Sequence, residues 1–126
     1  MTVKFNIVPK KDPRNLEAPP KYYPTVVSQG HADLRAIAER ITGMSTVSSV
    51  DTMAVLEAFL TVIPQELAEG NIVELGELGS FRLTALASGE ARPEDVSKRN
   101  IKEVKVRFKP GKLFKQVLKG LEFRKV

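Results

Sequence analysis

The chain has 126 residues, 42% of them hydrophobic and 28% charged, with no cysteine, no tryptophan, a net charge of +5 and a pI near 9.6. That supports one folded domain rather than two, and the lack of cysteine excludes disulfides, thiol catalysis and thiolate zinc sites. Proline and lysine at positions 9 to 11 interrupt any signal-peptide core and no apolar run is long enough to span a bilayer, so a cytoplasmic protein without a membrane partner is expected.

Residues 3 to 8 alternate apolar and polar, Pro9 is expected to stop the strand, and residues 10 to 20 are polar and rich in proline. Tyr22 to Val27 suits a second strand, antiparallel to the first, which makes residues 1 to 29 an N-terminal β-hairpin extension. Phe5, Tyr22 and Tyr23 fit strand propensity and core packing better than base stacking. Ser28, Gly30 and Asp33 offer caps for a first helix with the stripe Leu34, Ile37, Ala38 and Ile41, closed by Gly43. Ser45 or Thr46 can cap a second helix. Its apolar residues, from Val47 through Val55, Phe59 and Val62 to Leu67, cover too wide an arc for one buried side, so a second subunit is expected to cover the surplus face. Pro64 inside that pattern predicts a kink or short break.

Gly70 stands where the helical pattern ends, as a left-handed helix-closing glycine does. Ile72 or Val73 with Leu75 gives one short strand, Phe81 with Leu83 the next, and Gly76 and Gly79 bracket a tight turn. Residues 84 to 100 read as a loop or arm in which Pro93, Glu94 and Asp95 suit a short helical turn. Ile101 to Phe108 alternates, with Val104, Val106 and Phe108 on one face and Lys105 and Arg107 on the other; Arg82 joins the second face if these strands pair. Pro110 and Gly111 end the strand, and residues 112 to 121 form a basic C-terminal helix with Leu113, Phe114, Val117, Leu118 and Leu121 apolar. The expected class is a two-layer α+β fold.

Charge is unevenly placed. From Ser97 onward eleven lysines and arginines face only Glu103 and Glu122, a net of +9, while the helical middle is acidic. A concentrated positive field attracts a polyanion far better than scattered charge. Arg82, Lys105, Arg107, Lys109 and Lys112 are the principal candidates for phosphate contact. Lys98, Arg99 and Lys102 in the arm are weaker ones, diluted by Glu90, Glu94 and Asp95. The competing role for such lysines is to solubilise a strand and guard its edge. No Gly-Lys-Ser/Thr follows Gly76, Gly79 or Gly111, His31 is a lone imidazole, and the carboxylates are scattered. The chain is therefore expected to be a non-enzyme with no cofactor, metal or small-molecule substrate.

Two stretches, Ala68-Glu-Gly-Asn-Ile-Val-Glu-Leu-Gly-Glu-Leu-Gly-Ser-Phe81 and Phe108-Lys-Pro-Gly-Lys112, resemble the bacterial histone-like HU and integration host factor family over about residues 30 to 121. The resemblance implies two helices, a three-stranded antiparallel sheet ending in an arm, and a C-terminal helix, with residues 30 to 126 as the HU-like domain. It also implies an intertwined homodimer that binds double-stranded DNA in the nucleoid. The added hairpin is similar to that of longer HU-like relatives in Bacteroides-type bacteria. The family's Gly-Phe-Gly turn is Glu77-Leu78-Gly79 here, and its Arg-Asn-Pro arm tip, whose proline wedges between base pairs, has no counterpart. Sequence-tolerant, architectural binding with weaker bending is the function so implied. The alternative is an HU-like fold used as a protein-interaction module, with the N-terminal hairpin offering an edge for strand addition.

Overall fold

The helical part of the chain starts at Asp33, whose side chain accepts the Ala36 N–H at 2.9 Å in a computed structural model covering residues 1–126. Helix α1 then runs Leu34–Gly43. Helix α2, Ser49–Ala68, is capped by Ser48, which accepts the Asp51 N–H at 3.2 Å. The cap lies beyond the expected Ser45 or Thr46 because the Ser45 hydroxyl accepts the Val47 N–H at 3.3 Å, spending itself on the connecting turn. No break occurs at Pro64; α2 is helical on both sides of it. Its end is a complete Schellman closure, with Gly70 at φ +88°, Gly70 N–H on Leu67 O at 3.0 Å and Asn71 N–H on Glu66 O at 3.1 Å.

The strands form two three-stranded sheets. One contains β3 (Val73–Glu74), β4 (Gly79–Ala87) and β5 (Ile101–Pro110), all antiparallel, and β5 passes through Gly111 into α3, Lys112–Lys119. The corner where it does so joins the two stretches that carry the family resemblance. The Leu75 N–H bonds to Gly79 O and the Gly111 N–H to Leu78 O, both at 2.9 Å. A Cβ on Gly79 would run into the Lys109 carbonyl oxygen, and one on Gly111 into the Glu77 carbonyl oxygen, so both positions are held to glycine by close backbone approach. Phe81, Phe108 and Phe114 stack through the corner, with centroids 4.8 Å apart for the first pair and 5.6 Å, edge to face, for the second.

The second sheet holds the remaining three strands, with the first strand of the chain at its centre. Strands β1 (Thr2–Lys10) and β2 (Lys21–Val27) pair antiparallel, and β6 (Glu122–Lys125) lies parallel to β1, from Thr2 opposite Glu122 to Phe5 opposite Lys125. The C-terminal helix, expected over residues 112 to 121, is two residues shorter, and β6 follows it where no element was expected. That helix stops at Gly120, whose N–H bonds to Val117 O at 3.1 Å, and the alternation Leu121-Glu122-Phe123-Arg124 then continues as a strand. Pro9 does not stop β1: it pairs with Tyr22. Past Phe5 only β2 flanks β1, so a residue without an N–H is tolerated as on an edge strand.

Few side chains are buried. Ala38 and Leu67 are the buried apolar residues, joined by Thr52 and Asn100. On α2, Val55, Phe59 and Leu60 lie exposed, Phe59 at 42%. Tyr22 is 69% exposed and Tyr23 is exposed as well, so these rings stand in strands but do not join a core of this chain. The reason is topological: sheet β2-β1-β6 has an apolar face and no helix lies against it.

Candidate nucleic-acid interface

The β4–β5 ladder decides which cations meet. Arg82 stands opposite Arg107, Ser80 opposite Lys109 and Thr84 opposite Lys105, so Arg82, Lys105, Arg107 and Lys109 share one face. The other face carries the pairs Phe81 with Phe108, Leu83 with Val106, and Ala85 with Val104. Charge and grease thus separate by strand alternation alone. Two arginines directly across a ladder repel one another, yet Arg82, Arg107 and Lys109 have no ion-pair partner. Lys105 reaches Glu103 at 4.0 Å, and both side chains are about half exposed, so solvent screens the pair.

The remaining candidates fall elsewhere. Lys112 opens α3 beyond the corner. Lys102 sits where the ladder slips: Leu86 pairs with Glu103 but Ala87 pairs with Ile101, leaving Lys102 without a partner on β4. Strict alternation would have put Lys102 on the face of Val104 and Val106; the register slip instead leaves it unpaired and brings Ile101 opposite Ala87. Lys98 and Arg99 belong to a short 3-10 turn, Lys98–Asn100, that ends the loop between β4 and β5. A preceding turn at Pro93–Asp95 contains the Arg92–Asp95 pair at 3.5 Å. The eight cations therefore form a row of four on the ribbon, Lys112 beside it at the corner, and three at the ribbon's far end.

One cation escaped the sequence reading as a site residue. Lys115 lines a shallow polar hollow with Lys109, Ser80 and Glu74, on the same side of the corner. The spacing of three residues from Lys112 on a helix is the signal that would have found it. No helix is long and apolar enough to cross a membrane.

No curated protein matches the chain. Among solved structures, it is similar to a crystal structure from Bacteroides vulgatus ATCC 8482 described as a candidate bacterial DNA-binding protein, with a TM-score of 0.67 and 14% identity. The match covers 99% of this chain and 48% of that protein, so the chain spans about half the length of the structure it matches and shares its fold over that half. Over residues 1–125 the sequence fits the family model HU-HIG, described as an HU domain fused to a wHTH, Ig or glycine-rich motif, and the chain belongs to that family.

Proposed function

We propose that this chain binds double-stranded DNA without sequence selection, in an architectural, nucleoid-associated role, through the cationic face of β4 and β5. The observation that carries this is the unpaired Arg82–Arg107 juxtaposition, extended along the face by Lys105 and Lys109. A row of like charges costs the free protein stability and is repaid when phosphates neutralise it and counterions leave the duplex. The family and the described role of its structural relative support DNA as the polyanion. Lys112 and the tip cations Lys98, Arg99 and Lys102 extend the contact. No reaction chemistry, cofactor or small-molecule substrate enters this function, and bending is weaker than in relatives with a proline wedge.

The binding unit is a homodimer. A monomer of 14.0 kDa should expose about 6,700 Å², whereas this chain exposes 10886 Å². The excess of roughly 4,000 Å² per chain, about 8,000 Å² for a pair, lies above the usual total of about 2,000–5,000 Å² for permanent interfaces, so a dimer interface accounts for part of it, and the uncovered Val55, Phe59 and Leu60 of α2 together with Leu83 and Val106 supply apolar surface for it.

The test is fluorescence anisotropy with a random-sequence duplex across several salt concentrations. Affinity should fall steeply with salt, and the combined change Arg82→Glu, Lys105→Glu and Arg107→Glu should abolish it. Binding that survives this triple reversal would sink the assignment. A second role, as a protein-interaction module, is favoured by one separate observation: Phe5, Ile7, Tyr22, Pro24, Val26 and Phe123 form a continuous apolar surface on sheet β2-β1-β6. A nuclease-resistant protein partner lost on Tyr22→Glu would support it.

A further inference from the structure

The loop joining β4 to β5 is closed around one side chain. Asn100, 6% exposed, is among the few residues this chain buries. Its Oδ1 accepts the Ser97 N–H at 2.9 Å, while its Nδ2 donates to Ser88 Oγ at 3.2 Å and to Glu90 Oε1 at 3.0 Å. Its backbone closes the same ring, with Asn100 N–H on Ser97 O at 3.0 Å and Ser88 N–H on Asn100 O at 2.9 Å. The start of the loop, residues 88 to 90, is thereby tied to its end at residue 97. The primary amide supplies the one acceptor and two N–H donors that these contacts use.

The same bonds sort the charges of the loop. Of the three acids in the loop, Glu90 is engaged by the neutral Asn100 amide, Asp95 is engaged by Arg92 at 3.5 Å, and Glu94 makes no ion pair. Lys98 and Arg99, between these acids and the strand, make no ion pair. Their backbone is fixed as well: Ser97 Oγ accepts the Arg99 N–H at 3.3 Å, and Ser97 and Asn100 form a reciprocal capping box around the turn. An open loop of this composition would let Glu90 reach the two cations and cancel them.

We infer that Asn100 is a positioning residue which locks the β4–β5 tip and holds Glu90 aside, so that Lys98 and Arg99 form a second phosphate-contact point. This rests on DNA binding by the ribbon, proposed above. Ten residues of β5 at about 3.3 Å each set the tip about 30 Å from the corner, a distance of roughly nine base pairs at about 3.4 Å rise. Two anchored contacts at that separation fix the direction of the ribbon on the duplex. A rigid, charge-sorted tip thus does by electrostatics part of what a long flexible arm would do by wrapping.

Four proteins test this by salt-titrated anisotropy on the same random duplex: wild type, Asn100→Ala, Lys98→Ala with Arg99→Ala, and all three changes together. Removing the two cations should make the log K against log salt slope shallower by about 2. Asn100→Ala should produce most of that change, and the triple variant should lose no more than the double. A second set covers the case in which Asn100→Ala does not fold by circular dichroism. Asn100→Asp sets a carboxylate against Glu90 and should flatten the slope; adding Glu90→Gln restores a donor facing an acceptor and should bring the slope back. A wild-type slope in the Asn100 variants, additive loss in the triple variant, or no rescue by Glu90→Gln would overturn the role of Asn100 while leaving ribbon binding intact. If wild type itself shows no salt-dependent binding, the ribbon assignment and this inference fall together.

Discussion

Arg82 and Arg107 face each other across the β4–β5 ladder with no carboxylate paired to either. Directly opposed like charges destabilise a strand pair. Arg107→Ala should therefore leave thermal stability unchanged or raise it, by up to about 1 kcal/mol. The same change should weaken DNA binding and make the salt slope shallower by about 1. Melting curves and anisotropy on one preparation measure both. Parallel losses of stability and affinity would mean that Arg107 serves folding rather than phosphate contact.

The corner between β5 and α3 tolerates no side chain at position 111, because the obstacle is the Glu77 backbone rather than a movable side chain. Gly111→Ala should cost about 1–3 kcal/mol in urea denaturation. Lys112→Ala, one residue on, should change stability by less than about 0.5 kcal/mol. Similar losses at the two positions would show that the corner yields.

Helix α2 is capped by Ser48. Ser48→Ala should cost about 1 kcal/mol, and Thr46→Ala, at a hydroxyl two residues before the cap, should stay within about 0.5 kcal/mol. Chemical denaturation of the two variants ranks them, and the reverse order would move the start of the helix.

Phe59 and Leu60 are large, apolar and exposed on α2. If a second copy covers them, Phe59→Asp should turn a dimer into a monomer in sedimentation velocity and lower the melting temperature at every concentration, since burying an unpaired carboxylate is costly. A wild-type chain that sediments as a monomer at high concentration would remove the dimer from the proposal.

Local order was legible in the residues. Apolar spacing marked α1 and α2, Gly70 marked the end of α2, Pro93 to Asp95 marked a short turn, and alternation placed Lys105 and Arg107 opposite Val104 and Val106. Each depends on hydrogen bonds and side-chain directions that repeat within a few residues. The cap of α2 was misplaced because three hydroxyls compete within four positions and the winner depends on the turn that consumes Ser45.

The sequence by itself determined the order of helices and strands as far as the C-terminal helix, the two stretches that meet at the corner, and the cationic character of the second half, because periodicity, turn chemistry and charge are properties of neighbouring residues. Only the tertiary structure decided that residues 122 to 125 form a strand, since their partner lies at Thr2 to Phe5 and four residues have no period of their own. It also decided that a register slip leaves Lys102 without a partner on β4, and that Asn100 draws Ser88, Glu90 and Ser97 into one ring. Those outcomes depend on register and closure between segments distant along the chain, where the free energy of pairing is settled by geometry that no local pattern encodes.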